Sequence, residues 1–139
     1  MTVVSRSFDR EIAALDGIFE FVGAFIDGHR LDERTAFSLN LIVEELFTNF
    51  VRHNLGGGDQ IVLSMEKDDN TIRLELVDDG VEPFNPEVVA EVPVEASIDE
   101  RRPGGLGIHL IRTMVDSLHY DYEIENRRLR VSVTKTLEP

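Results

Sequence analysis

The chain has 139 residues, 42% of them hydrophobic, no cysteine, and 27 acidic against 14 basic side chains, for a formal net charge of −13 at pH 7. No apolar run approaches the roughly 18 residues of a membrane-spanning helix, the lack of cysteine excludes disulfides and thiolate metal sites, and the acidic balance argues against gripping nucleic acid or anionic lipid, which takes Lys and Arg set against phosphates. One soluble domain over residues 1–139 is expected, and, with no signal-peptide pattern in MTVVSRSFDR, a cytoplasmic location.

Val3, Val4 and Phe8 suggest a short edge strand. From Asp9 to Gly28, Ile12, Leu15, Ile18, Phe19, Val22, Phe25 and Ile26 recur at spacings of three and four, which predicts a helix capped by Asp9 and stopped by Gly28. A second helix is predicted from its cap Asp32 to about Asn54, before the run Gly56-Gly57-Gly58. Its main apolar stripe is Leu39, Val43, Leu46 and Phe50, and Phe47 and Val51 point elsewhere, so two of its sides should be covered.

The period then changes to two. Ile61, Leu63 and Met65 alternate with polar neighbours, Asp68-Asp69-Asn70 turns the chain, and Ile72, Leu74 and Leu76 alternate again, which predicts a hairpin. A Pro-, Glu- and Val-rich stretch from Glu82 to Arg102 is expected to be a long functional loop, followed by a helix from about Gly105 to Ser117. A second hairpin carries Leu118, Tyr120, Tyr122 and Ile124, a turn near Asn126, and Leu129, Val131 and Val133. Strands that are apolar on one face call for a mostly antiparallel sheet with helices on a single side, an α+β two-layer sandwich.

Three groups of residues carry possible chemistry. Glu45 and Asn49 lie four apart on the second helix, with His53 a turn further on, and form a polar stripe beside the apolar one. The same pattern also suits a solvated helix flank with an ordinary half-buried histidine. Asp78 is in phase with Ile72, Leu74 and Leu76 and so should point at the helix-covered face, where a carboxylate is costly unless hydrogen-bonded. A strand-end turn, an Asx bond to its own backbone or a break in register before Asp79 would also account for it. Gly80, two residues on, suits either a positive-φ turn or close approach of a ligand to the backbone.

The third group is Arg101-Arg102-Pro103-Gly104-Gly105-Leu106-Gly107 at a helix entry. Backbone N–H groups and the helix dipole favour phosphate there, and the two arginines are the local cations an acidic protein needs to hold an anion. A plain glycine-rich turn remains the other account. His29, His109 and His119 show no metal-ligand spacing, and Arg127, Arg128 and Arg130 suit a solvated hairpin edge.

In order and spacing, three segments together resemble the GHKL (histidine kinase-like) ATPase superfamily. V-E-E-L-F-T-N-F-V-R-H, Val43 to His53, is similar to its N box; V-D-D-G-V-E-P-F-N-P, Val77 to Pro86, to the first glycine box; and R-P-G-G-L-G-I-H-L, Arg102 to Leu110, to the second. Within it the chain most resembles anti-sigma factor serine-protein kinases of the RsbW type, where P-F-N-P follows the glycine in the same way.

The resemblance implies a Bergerat-type fold that binds ATP and Mg2+. Asn49 would hold the metal, Asp78 would accept from the adenine amine, Gly80 would let the base approach, and Gly105 and Gly107 would cradle phosphates. His53, Phe84, Arg102, Gly104 and Leu106 complete the implied nucleotide contacts, and Glu45 would orient or deprotonate the attacking hydroxyl. It also implies transfer of the γ-phosphate to an anti-anti-sigma (STAS-type) partner, sequestration of a sigma factor, and a homodimer. The alternatives are a catalytically weak nucleotide-dependent binding module or the ATP-binding part of a split histidine kinase. Phe50 departs from the small residue that usually follows the asparagine, and either Arg101 or Arg102 would reach the γ-phosphate.

Overall fold

The computed structural model describes residues 2–53, 56–82 and 111–137. Five strands form one antiparallel sheet in the order β1-β2-β3-β5-β4: β1 Val4–Asp9, β2 Gln60–Asp68, β3 Thr71–Asp78, β4 Ser117–Glu123 and β5 Arg128–Thr136. Among the described residues, α1 Leu15–Gly28 and α2 Glu33–His53 are the helices longer than two turns, and both accompany it. This is the α+β sandwich that the alternating strands called for. None of the described helices is long and apolar enough to cross a membrane.

The sheet follows from its alternation. Ile61, Leu63 and Met65 of β2, Ile72, Leu74 and Leu76 of β3, and Leu129, Val131 and Val133 of β5 are all buried, while their neighbours along each strand are at least partly exposed. Residues opposite one another share the inward face, as in Leu63 with Leu76 and Leu76 with Val131, so one hydrophobic surface runs across three strands. Against it pack Ile18, Val22, Phe25 and Ile26 of α1 and Leu39, Ile42, Val43, Leu46, Phe47 and Phe50 of α2. Phe47 is buried as fully as the main stripe, which accounts for the second apolar side of α2.

Two boundaries differ from the sequence-based expectation. Asp9 is not a helix cap: it is the last residue of β1, paired with Gln60, and its carboxylate accepts from the Gln60 side-chain amide at 3.1 Å. The suggested edge strand is therefore a full six-residue strand with Phe8 turned inward against the edge of Phe21. The chain passes through a short 3-10 turn, Ile12–Ala14, before α1 begins, and Ile12 stays exposed. Pairing with β2 claims backbone that the helical periodicity had assigned to α1.

The predicted third helix ends early. Positions 111–114 are helical and Ile111 is buried, but Ser117 already opens β4. Asp116 explains the stop, because its N–H donates to Thr134 O at 2.9 Å and its carboxylate accepts from the Thr136 N–H at 2.8 Å, which ties it to β5. The rest of that helix and most of the Glu82–Arg102 loop lie outside the described residues.

α2 starts as expected. The Asp32 carboxylate accepts from the Thr35 N–H at 2.7 Å, satisfying one of the donors that a helix start leaves open, and this bond lowers the pKa of Asp32. The β2–β3 turn places Asp69 at φ 55°, a conformation that Asp tolerates better than most residues.

Candidate functional site

The site is built where the last turn of α2, the glycine loop that follows it and the end of β3 converge. Asp78 is the last residue of β3, opposite Ile61 on one side and Leu129 on the other. It points inward, as its phase required, and it is the one buried polar or charged residue among those described, with no exposed surface. An ionised carboxylate in that position needs a partner to offset its desolvation.

Arg10, which had no assigned role in the sequence analysis, is that partner. It follows directly after β1, and its backbone N–H donates to Asp59 O at 2.9 Å, continuing the pairing of Asp9 with Gln60. From there the side chain crosses the glycine loop and uses all three guanidinium nitrogens. Nη2 donates to Asp78 Oδ1 in an ion pair, Nε donates to Gly58 O at 2.8 Å, and Nη1 donates to Phe50 O at 3.2 Å. Phe50 O lies in the last turn of α2, where carbonyls lack helical partners and the dipole favours a cation. One arginine therefore joins β1, the end of α2, the glycine loop and β3.

The glycines make this possible. Gly57 sits at φ 79°, and a Cβ there would come within 2.6 Å of Arg10 Cζ, so both backbone and guanidinium need a residue without a side chain. Gly80 sits at φ 77°, the turn alternative foreseen for it, and its carbonyl accepts from the Gly57 N–H at 2.8 Å while Asp79 O accepts from the Gly58 N–H at 2.7 Å. The two loops thus close on each other through backbone bonds. On the far side, the Val81 N–H donates to Arg127 O at 2.8 Å and Tyr122 Oη donates to Val81 O at 2.5 Å. Arg128 holds Asp79 outward through a 2.6 Å ion pair and Arg130 pairs with Glu75 at 3.1 Å, so the basic group of the second hairpin braces a central strand, where a sheet edge had been expected.

Glu45 and Asn49 lie half-buried on α2, next to its fully buried stripe. Asn49 Nδ2 donates to Glu45 O at 2.8 Å, which uses the amide nitrogen and leaves Oδ1 as the acceptor end. Burial raises the Glu45 pKa above its ordinary 4.5, the neighbouring Glu44 charge adds to the rise, and Arg52 partly offsets it. His53 is half-buried at the end of the same helix. Through Phe50 O and Arg10, the turn that carries Asn49 is tied to Asp78. Phe50 is itself buried in the core, so the departure from a small residue serves packing. Phe84, Arg101, Arg102, Gly104, Gly105, Leu106 and Gly107 lie outside the described residues.

The antiparallel sandwich thus holds a buried carboxylate at a strand end, tied through Arg10 to the turn of the covering helix that carries Asn49. In fold the chain is similar over its full length to the histidine kinase AdeS of Acinetobacter baumannii, with a TM-score of 0.50 at 13% identity and 70% of that chain covered. Residues 8–135 match the model of the histidine kinase-like ATPase domain, and the chain belongs to that family. It is also similar to the serine/threonine-protein kinase BtrW of Bordetella bronchiseptica, at 29% identity over 93 residues. That match spans 66% of this chain and 65% of the kinase's length.

Proposed function

We propose that the chain works as one cytoplasmic ATP-binding domain, a protein serine/threonine kinase of the RsbW type that phosphorylates an anti-anti-sigma partner with a STAS fold and sequesters a sigma factor, as a homodimer. The observation that carries this reading is the buried Asp78 beside the α2 turn of Asn49, in a chain that belongs to the histidine kinase-like ATPases and is similar to a serine/threonine kinase.

On this reading Asp78 accepts from the adenine amine at the end of β3, and Gly80 keeps the base side free of a side chain. Asn49 offers Oδ1 to Mg2+, a hard cation that takes oxygen ligands and shares them with phosphate, and its amide bond to Glu45 O fits that orientation. Mg-ATP supplies the γ-phosphoryl group, and positioning and charge neutralisation are what the protein adds to such a transfer. Glu45 orients or takes the proton of the attacking hydroxyl, and a raised pKa suits a base. His53, Phe84, Arg102, Gly104, Gly105, Leu106 and Gly107 are the further nucleotide contacts of this reading.

The test is phosphate incorporation, followed by intact mass, after incubation with Mg-ATP and candidate STAS-type partners. Transfer to a Ser or Thr is expected, and Glu45→Ala should slow it by about a hundredfold or more, the usual scale of a lost acid–base group, while ATP still binds. ATP binding with no transfer to any partner would instead identify a nucleotide-dependent binding module.

A further inference from the structure

We infer that Arg10 is a latch on the base end of the nucleotide site, competing with the purine's exocyclic amine for Asp78 and setting nucleotide affinity. The inference rests on the reading of Asp78 as the base acceptor. Asp78 has no exposed surface, so a ligand amine reaches its carboxylate only if a group now covering it moves. The guanidinium is such a group, bonded to Oδ1, with 15% of its side chain exposed. It is the far end of a long, flexible side chain, whereas Gly57 and Gly58 beside it are held by backbone bonds to Gly80 and Asp79.

Exchange of Arg10 for an amine replaces an ion-paired hydrogen bond, charged on both sides, with one from a neutral donor to the same carboxylate, which is weaker. It also gives up the bonds to Gly58 O and Phe50 O. Nucleotide binding is therefore opposed by the stability of the latched state, and the closed site holds together at low nucleotide levels.

Calorimetric titration with Mg-ATP at 150 mM salt, on the wild type, Arg10→Ala, Arg10→Lys, Gly57→Ala and Asp78→Asn, tests the latch. Arg10→Ala should bind Mg-ATP about tenfold more tightly, the scale of one charge-assisted hydrogen bond no longer lost, while its ligand-free melting temperature falls. Gly57→Ala, strained at φ 79°, displaces the guanidinium without removing its charge and should also tighten binding, and Arg10→Lys keeps the test open if either variant fails to fold. Arg10→Lys, which keeps the charge but not the planar fork, should fall between wild type and Arg10→Ala. Should Asp78→Asn weaken binding while Arg10→Ala and Gly57→Ala leave it unchanged or weaker, Arg10 is a structural brace and the latch is overturned. Failure of the wild type to bind Mg-ATP at millimolar concentration overturns the nucleotide reading, and the latch with it.

Discussion

Asp32, just before the start of α2, and Glu45, near its middle, carry pKa shifts of opposite sign. Burial raises Glu45 above 4.5, so the folded chain holds that proton more tightly than the unfolded chain, and the ionised carboxylate costs stability at neutral pH. Glu45→Gln should therefore raise the thermal midpoint at pH 7, and the gain should vanish below pH 4.5, where both states are protonated; melts at pH 7 and pH 4 check it. A gain in stability with a loss of transfer is the trade expected of a residue kept for chemistry. Asp32 behaves the other way. Its pKa is lowered below 3.8 by the bond from the Thr35 N–H, so its stabilisation is present above that value and is lost as pH falls through the depressed one. Asp32→Ala should lower the midpoint at pH 7, with a deficit that shrinks towards pH 2. Both shifts were foreshadowed locally, one by a cap position and the other by a polar stripe next to an apolar one. Arg10 was not, because nothing between Asp9 and Glu11 signals a contact with a residue 68 positions further along the chain.

Among the elements, the second hairpin has the role least expected from its pattern. Its alternation marks two strands, yet it is the order β3-β5-β4 that sets the Arg127 turn against Val81 and brings Tyr122 Oη to Val81 O. This hairpin braces the chain just beyond Asp78 and Gly80. Tyr122→Phe removes one hydrogen bond and leaves the ring, so it should cost about 1 kcal/mol in a urea titration. An unchanged urea midpoint would mean that the backbone bond to Arg127 and the bridge to Gly56 hold the Val81 segment without the tyrosine. β1 teaches the complementary lesson. Its sequence alternates weakly, with only Phe8 buried, and the helical spacing after Ile12 hid the true boundary, because strand pairing depends on a partner edge that no local window contains.

For the whole molecule, charge is the governing quantity. A net charge of −13 on a 139-residue chain disfavours the compact state through self-repulsion, and salt screens that repulsion over about 10 Å at 0.1 M and about 3 Å at 1 M. Raising NaCl from about 20 to about 300 mM, a range over which the screening length shortens several-fold, should increase the thermal midpoint of the ligand-free protein. A decrease would show that ion pairs such as Arg10–Asp78 and Arg128–Asp79 outweigh the general repulsion. Periodicity alone determined the α+β class, the extent of α2, both hairpins and the inward phase of Asp78, because each depends on which face of a helix or strand is apolar. The three boxes together carried the family, since order and spacing are properties of the chain itself. Only the tertiary structure decided strand order, the reach of β1, and what meets Asp78. A buried carboxylate must be compensated, but the group that does so is selected by which distant backbone lies close enough, and here a glycine loop lets Arg10 through.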